Sequence, residues 1–431
     1  MARRLPQFVE LRITGVDADG RGLGEIDGRM VRVKNALPGE CVRVRLLRRR
    51  RGEWWGEADA VLLASPARHP APCPLFPRCG GCAVQHMEGA AQLAAKQARL
   101  LELLDAVGVA AERLRPPVAG PSYHYRTKAR LGVRLVGDAP LIGFREHLSN
   151  RVARMADCLV LTPRLGRLIE PLKALVNGLS VRDAVPQIEV AAGDDGCALV
   201  LRHLRPLAAG DLDALRRFAL RFQVALLTQA GGPETAALLA APTGRTQLLG
   251  YAIPAFGLLL NFHPSDFTQV NLALNQRLVA DVVRSLGPPN GLTADLFCGI
   301  GNFSLPLARC GHRVLGLEAD AGCIERAQRN AALNGLSGCC EFSIADLWQT
   351  PEWPARLGAV LVDPPRSGLG SALVEALADR TDRLAYVSCN PVTFARDARQ
   401  LADLGFNLAE VTVYDLFPQT AHIETFGLFQ R

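Results

Sequence analysis

Apolar and polar residues alternate with a period of two over much of the first 65 residues. This alternation predicts half-buried strands, because successive side chains of a strand point to opposite faces. Asp-Gly and Pro-Gly pairs between the apolar runs supply tight turns. We therefore expect an OB-like β-barrel over residues 1–65, with strands at residues 8–14, 30–34, 41–47 and 57–63.

The pattern changes after a proline-rich boundary at residues 66–77. Residues 92–107 carry apolar positions at helical spacing, and a mixture of strand and helix patterns follows. Strands are predicted at residues 129–135, 187–191 and 198–201, and helices at residues 163–175 and 211–222. This mixture indicates a central α+β domain over residues 66–262.

Between residues 263 and 431, predicted strands alternate with helical stretches of roughly twelve residues, as βαβ units require. These strands lie at residues 294–297, 313–317, 341–344, 359–362, 384–388, 408–414 and 424–429. No helix separates the last two, which predicts an antiparallel hairpin at the edge of the sheet. A Rossmann-like wound sheet that ends in a hairpin is typical of S-adenosylmethionine-dependent methyltransferases. We therefore predict this α/β fold for the last third of the chain.

The composition is that of a globular enzyme, with 49% hydrophobic and 21% charged residues in a chain of 431. The sequence contains no run of eighteen apolar residues and no charged-then-apolar leader, so we expect a cytoplasmic protein that does not bind membranes. In that compartment the 12 cysteines are expected to be reduced thiols, metal ligands or catalytic groups.

The net charge of +7 is concentrated near the N-terminus. Residues 1–72 hold 14 Arg and Lys against 9 Asp and Glu, and residues 48–51 are four consecutive arginines. An arginine run alone is more often a solvated loop than a binding site. A basic patch confined to one small module nevertheless favours nucleic acid as the partner.

A glycine-rich turn follows the first strand of the predicted wound sheet, at residues 295–303. Gly299 and Gly301 allow the backbone to approach a cofactor, and Asn302 lies near the start of the next helix. A pair of glycines by itself is weak support, since many such turns are only tight turns. Glu318 and Asp346 strengthen it, because they end the second and third strands, where they are placed for a ribose and an adenine amine.

Cys389 lies at the end of a later strand of the same sheet, between Ser388 and Asn390. The commonest role of a free cysteine is a buried small hydrophobe, but these polar neighbours do not fit an apolar run. A thiol that faces a methyl donor indicates a methyl acceptor too unreactive for direct attack, such as carbon 5 of a pyrimidine. We expect a helix that starts near Pro391 to lower the pKa of this thiol.

Two further carboxylates complete this candidate site. Glu424 begins the final strand and is the best candidate for the base that removes the proton of carbon 5, although a lone Glu is more often a surface charge. Asp363 is held at the mouth of the site by Pro364 and Pro365. The next residue is Arg366, where enzymes that methylate exocyclic amines carry an aromatic residue, so the motif argues against amine chemistry.

Three cysteines cluster after the proline-rich boundary, at positions 73, 79 and 82. Cys158 is the most plausible fourth ligand. Zinc is the usual metal of clustered cysteines, but a single CxxC with one distant cysteine fits an iron–sulfur cluster at least as well. The spacing alone leaves both metals open.

Taken together, these motifs resemble the bacterial RNA uracil-5-methyltransferases, in particular the 23S ribosomal RNA type with an N-terminal TRAM domain and a [4Fe-4S] cluster. The resemblance covers nearly the whole chain, including residues 267–271 and 422–424. It implies methyl transfer from S-adenosylmethionine to carbon 5 of uracil 1939, with Cys389 as the nucleophile and Glu424 as the base. It also implies cofactor contacts from Gln269, Phe297, Asn302, Glu318, Asp346 and Asp363, and a cluster held by Cys73, Cys79, Cys82 and Cys158.

The resemblance further implies that residues 91–120 pack on the catalytic domain. Relatives that act on transfer RNA are expected to lack the TRAM module and the cluster cysteines, which favours ribosomal RNA as the substrate. Two alternatives stay open, namely the same chemistry on the T-loop of transfer RNA and a non-catalytic RNA-binding or assembly factor. A radical enzyme is disfavoured, because a fourth cysteine is present. We expect a monomer.

Overall fold

The computed structural model describes residues 8–147, 149–244, 246–349, 354 and 356–431. The first seven residues of the predicted 1–65 module therefore lie outside the described residues. Three sheets of six, six and eight strands and one two-stranded sheet make up the strand framework of this part of the chain. None of the helices described is both long enough and apolar enough to cross a membrane.

The N-terminal module is a six-stranded sheet with the strand order β1-β5-β6-β4-β3-β2. Its alternating apolar residues, among them Val31, Val33, Val42 and Val44, form a separate buried core. Closure into a barrel stays a prediction. The strands are β1 (Phe8–Arg12), β2 (Gly15–Val16), β3 (Gly22–Ile26), β4 (Arg29–Lys34), β5 (Cys41–Arg50) and β6 (Glu53–Leu63).

The central part contains a second six-stranded sheet, ordered β13-β12-β11-β10-β8-β9. The helix predicted at residues 163–175 is broken into α2 and α3. The elements up to this point are α1 (Gly89–Ala106), β7 (Ala111–Leu114), β8 (Lys128–Val136), β9 (Ala139–Gly143), α2 (Pro163–Gly166), α3 (Ile169–Asn177), β10 (Gln187–Ala192), β11 (Cys197–Arg202), α4 (Ala209–Phe222), β12 (Val224–Gln229) and β13 (Ala236–Ala240).

A hairpin of β14 (Leu249–Ile253) and β15 (Leu258–Phe262) leads into the eight-stranded sheet, ordered β18-β17-β16-β19-β20-β22-β21-β7. Strands β16 to β20 pair in parallel with one another, whereas β22 pairs antiparallel with both β20 and β21. The elements are α5 (Leu272–Leu286), β16 (Leu292–Leu296), α6 (Ser304–Arg309), β17 (Arg313–Glu318), α7 (Ala321–Leu333), β18 (Cys340–Ile344), β19 (Ala359–Val362), α8 (Ser371–Ala378), β20 (Arg383–Ser388), α9 (Pro391–Asp403), β21 (Asn407–Tyr414) and β22 (Glu424–Gln430).

The structure corrects two details of this sheet. The hairpin is not at the edge, because β7 from far earlier in the chain pairs parallel with β21, while α1 packs against α9. The connecting helices are also less uniform than predicted, since α6 has 6 residues and α8 has 8. Between β18 and β19 the described residues contain no helix.

Candidate active site

One large cleft opens at the carboxyl ends of the parallel strands, where a wound sheet places its ligands. Seven of the eight residues predicted for catalysis or cofactor binding line this cleft. They are Gln269, Phe297, Glu318, Asp346, Asp363, Cys389 and Glu424. The fold thus brings together side chains that are up to 155 positions apart in the sequence.

The turn after β16 is shaped to let backbone amides face the cleft. Phe297, Gly299 and Gly301 all have positive φ angles, of 61°, 53° and 91°. The amide of Gly299 donates to Glu318 Oε2 at 3.3 Å, and the amide of Ala319 donates to Glu318 Oε1 at 2.7 Å. The Glu318 carboxylate is therefore fixed at the end of β17 and keeps lone pairs for hydroxyl donors.

Asn302 is the predicted residue that does not line the cleft. Its side-chain oxygen accepts from Tyr251 Oη at 2.9 Å and from Asn275 Nδ2 at 2.8 Å, and its amide nitrogen donates to Asn275 Oδ1 at 3.1 Å. These bonds join the start of α6 to α5 and β14, so the observed role of this side chain is to connect structural elements.

Two exposed aromatic residues line the cleft. The sequence analysis assigned neither of them a role. The Phe267 side chain is 75% exposed, although residue 267 belongs to a motif quoted above. Trp348 is also exposed, and its ring centroid lies 5.8 Å from that of Phe297. Asp346 accepts from the Trp348 amide at 3.1 Å, which fixes both residues at one end of the cleft. An exposed aromatic ring in a cleft is a stacking surface for a planar ligand.

The predicted lowering of the Cys389 pKa is wrong. Burial raises the pKa of this thiol to about 11, the carboxylates of Glu424 and Asp363 add to the shift, and the Arg366 guanidinium opposes it. Helix α9 does begin at Pro391, but Asn390 already caps it, because its side-chain oxygen accepts from the amide of Val392 at 3.2 Å. The helix end therefore does not outweigh burial and two carboxylates.

Glu424 is the most unusual side chain of the cleft. It is 1% exposed, and neither of its carboxylate oxygens has a hydrogen-bond partner among the described residues. Burial holds its pKa well above the ordinary range, and the Asp363 carboxylate adds to this. Its position follows from the sheet, since the next residue on β22 pairs with Ser388, which directly precedes Cys389. An unpaired buried carboxylate is costly for folding, so its presence beside a thiol points to chemistry.

Asp363 and Arg366 frame the thiol from the loop after β19. Burial raises the pKa of Asp363 to about 7, with a further contribution from Asp295. The Arg366 guanidinium lies 2.8 Å from His422 Nδ1, and its backbone oxygen accepts from Asn390 Nδ2 at 2.8 Å. The loop is thereby tied to the residue after Cys389 and to the loop before Glu424.

The four predicted ligand cysteines line one small pocket away from the cleft, together with Phe144 and Met155. Two of the sulfurs accept hydrogen bonds, Cys79 Sγ from the Gly81 amide at 3.4 Å and Cys82 Sγ from Gln85 Nε2 at 3.1 Å. Burial raises the pKa of Cys79 to about 11 and that of Cys82 to about 12. Nowhere in the described ranges do three or more Cys, His, Asp or Glu side chains form a group suited to a single metal ion.

Comparison with known proteins gives consistent matches. The family model described as "tRNA (Uracil-5-)-methyltransferase" matches residues 257–343 and 355–431. The "23S rRNA (uracil(1939)-C(5))-methyltransferase RlmD" of Hahella chejuensis is 42% identical, over 100% of this chain and 99% of the relative. The protein of the same name from Acidithiobacillus ferrooxidans is 44% identical, over 97% of this chain and 96% of the relative.

Among solved structures, the Pyrococcus abyssi tRNA (uracil-54, C5)-methyltransferase in complex with S-adenosyl-L-homocysteine aligns with a TM-score of 0.76 at 24% identity. The alignment covers 98% of this chain and 100% of that one. The eight-stranded sheet is thus the fold of an S-adenosylmethionine-dependent methyltransferase. The expectation that transfer-RNA-acting relatives lack the N-terminal module is wrong for this enzyme, whose chain is matched along its whole length.

Proposed function

The chain belongs to the family of 23S rRNA (uracil(1939)-C(5))-methyltransferases, and on that premise we propose that it transfers a methyl group from S-adenosylmethionine to carbon 5 of uridine 1939 in 23S ribosomal RNA. Identity above 40% along the full length of two relatives supports this substrate. The observation that carries the chemistry is the buried, unpaired Glu424 in the same cleft as Cys389.

The cofactor fits the end of the cleft formed by the turn after β16. Glu318 would accept from the ribose hydroxyls and Asp346 from the adenine amine, while Gln269 and Phe297 line the same space. Asn302 is the least supported contact, since its side chain is already bonded to Asn275 and Tyr251. When bound, the cofactor supplies an electrophilic methyl group on a sulfonium sulfur.

The exposed ring of Phe267 is the best surface for the target base. A uridine must leave its stack before an enzyme can reach carbon 5, and an aromatic side chain can replace the lost stacking. We place the flipped uracil between Phe267 and the thiol of Cys389, which is the arrangement that lets carbon 6 face the sulfur. Asp363 would then orient the ring from the opposite wall.

The proposed reaction has two parts, one carried out by Cys389 and the other by Glu424. The Cys389 thiol gives its proton to solvent water, and the thiolate adds to carbon 6 of uracil, which makes carbon 5 nucleophilic enough to take the methyl group. Glu424 then removes the proton of carbon 5, and the carbon 6–sulfur bond breaks to restore both the double bond and the thiolate. A raised pKa suits Glu424 to this task, because a more basic carboxylate holds a proton more firmly.

The cysteine-lined pocket is proposed to hold a [4Fe-4S] cluster through Cys73, Cys79, Cys82 and Cys158. Amide donors directed at two of the sulfurs suit thiolate ligands, because a thiolate accepts hydrogen bonds more strongly than a thiol. The four cysteines line one pocket, which matches the four thiolate ligands that such a cluster requires. Methyl transfer needs no electron, so we assign the cluster a structural role.

Iron and sulfide analysis tests this assignment. Protein purified without oxygen is expected to contain both elements, and Cys158→Ser is expected to lose most of them. Cys310→Ser is the matched control, because Cys310 is an exposed cysteine remote from the pocket. Stoichiometric zinc without sulfide would contradict the cluster.

The proposed organisation follows the three regions of the chain. Residues 1–65 form a TRAM-type module that binds RNA phosphates, residues 66–262 carry the cluster, and residues 263–431 carry the catalytic domain. Action on ribosomal RNA places the protein in the cytoplasm, and we propose a monomer.

The experiment that tests the function compares two RNAs. Purified protein is incubated with labelled S-adenosylmethionine and either a 23S fragment around uridine 1939 or an unmodified transfer RNA, with Cys389→Ala as the control. Label in 5-methyluridine of the ribosomal fragment is expected, and none with the variant. Preferential labelling of the transfer-RNA T-loop would show that transfer RNA, not 23S ribosomal RNA, is the substrate. Binding of RNA without any labelling would favour a non-catalytic RNA-binding or assembly factor.

A further inference from the structure

The active-site cleft is the first of three adjoining concavities. It shares Arg366, Cys389 and His422 with a second cavity of about 280 Å³, whose walls are mostly apolar. That cavity shares Asp19 and Gly20 with a third one, of about 270 Å³, around Trp55. The turn between β2 and β3 therefore borders both the cavity beside the nucleophile and the cavity on the N-terminal module.

The turn that separates the second and third cavities is firmly held. Asp17 Oδ1 accepts from the amides of Asp19 and Arg21, each at 2.9 Å. Gly20 has a φ of 78°, and a Cβ there would lie 2.9 Å from Val84 Cγ1 and 3.5 Å from Ala421 Cβ. This close approach fixes the N-terminal module against the segment after the cluster cysteines and against the loop before Glu424, so the relative position of the two cavities is set by the fold.

The third cavity has the chemistry of a nucleotide site. The guanidinium carbon of Arg21 lies 4.6 Å from the centre of the Trp55 ring, and that of Arg48 lies 5.4 Å from it. The indole Nε1 of Trp55 is buried and has no hydrogen-bond partner among the described residues. Lys34 and His147 also line the cavity. Stacked arginine and tryptophan side chains bind bases through their faces and phosphates through their N–H groups.

Arg48 differs from the other cations of this cavity. Arg21 is paired with Asp17 and Asp19, and Lys34 lies 3.9 Å from Glu57. Arg48 has an exposed side chain and no acidic partner within the part of the chain that the structure describes. Its charge is therefore available to a ligand, while the paired Arg21 keeps one face of the indole covered.

We propose that the cavity around Trp55 is a second RNA subsite, which binds one unpaired nucleotide of the strand that carries the target uridine. The phosphate pairs with Arg48, whose guanidinium lies over the Trp55 ring, and the chain between the two nucleotides passes along the turn that both cavities share. This inference rests on RNA being the substrate. The N-terminal module would then recognise a nucleotide at a fixed distance from the target uridine.

Two neighbouring arginines allow a matched test. Arg48 and Arg49 are both exposed and adjacent on β5, but Arg48 lies opposite Trp55 and Arg49 opposite Trp54, on the other face of the sheet. Only Arg48 lines the cavity. Arg48→Gln and Arg49→Gln therefore remove the same charge from the same strand at positions that differ in their access to the subsite.

Binding of a 23S fragment is measured by fluorescence anisotropy at several salt concentrations. Arg48→Gln is expected to raise Kd about five-fold or more and to reduce the salt slope by about 0.7, as for one lost contact to a single-strand phosphate. Arg49→Gln is expected to change Kd less than two-fold. Equal weakening by the two variants, or none, would overturn the subsite.

A second measurement uses the RNA instead of the protein. Single methylphosphonate substitutions, which remove the charge of one phosphate, at each position flanking the target should reveal one position whose change weakens wild-type binding but leaves Arg48→Gln unaffected. Additive losses at every position would contradict a single-nucleotide site. Because both measurements report binding, they stand even where methylation itself fails, so the subsite and the proposed function can fail separately.

Discussion

The reactivity of Cys389 in the free protein should rise steadily with pH to at least pH 9. Burial and two nearby carboxylates raise the thiol pKa from 9.0 to about 11. At pH 7.5 only about 0.03% of such a thiol is ionised, and each further pH unit increases the thiolate about ten-fold. Between pH 7.5 and 9.5 the rate of alkylation should therefore increase about 100-fold.

The assay is iodoacetamide labelling of the Cys389 peptide, followed by mass spectrometry, with glutathione as the reference thiol. Two variants test the electrostatic cause. Arg366→Gln removes the charge that opposes the shift and should slow labelling at pH 7.5. Glu424→Gln should speed labelling only at alkaline pH, where the Glu424 carboxyl, whose own pKa is raised, is ionised. A rate that levels off below pH 8.5, or variants that behave alike, would refute the reasoning.

The remaining predictions concern the base, the stacking ring and a buried ion pair. Glu424→Gln should slow turnover by at least about 100-fold. With ordinary uridine, this variant should accumulate a methylated protein–RNA adduct that is visible on a denaturing gel. Release of free methylated RNA at the wild-type rate would exclude Glu424 as the base. Phe267→Ala should raise KM for RNA about ten-fold, as for a lost stack of about 1–3 kcal/mol, while cofactor binding measured by calorimetry stays constant. Lys96 donates to Asp415 Oδ1 at 2.5 Å in a buried pair, so Lys96→Met should lower the free energy of unfolding in urea by about 3 kcal/mol, and a change below about 1 kcal/mol would contradict this.

The sequence predicted which side chains meet in one cleft because of one general property of wound sheets. The carboxyl ends of parallel strands lie at the same edge, so Glu318, Asp346, Asp363 and Cys389 had to be neighbours once the strands were assigned. Strand ends alone do not predict the position of Glu424. Its position also depends on the insertion of β22 between β20 and β21.

Other features depend on contacts that local patterns do not contain. The pairing of β7 with β21 joins segments almost 300 residues apart, and no periodicity in residues 111–114 signals it. The Cys389 pKa reflects carboxylates contributed by two other strands, whereas the sequence analysis considered only the adjacent helix end. Exposure of the Phe267 ring is also a tertiary property, since an aromatic residue is usually buried.

The most direct test of the covalent mechanism uses a 23S fragment with 5-fluorouridine at position 1939. In this base, fluorine replaces the carbon 5 proton that Glu424 would remove. Because fluorine cannot be abstracted by a base, the proposed reaction stops with Cys389 bonded to carbon 6. With S-adenosylmethionine, the wild-type protein is expected to form a slowly migrating complex that survives denaturation, and Cys389→Ala is expected to form none. Wild-type protein that binds this RNA and cofactor without forming the complex would contradict catalysis through Cys389.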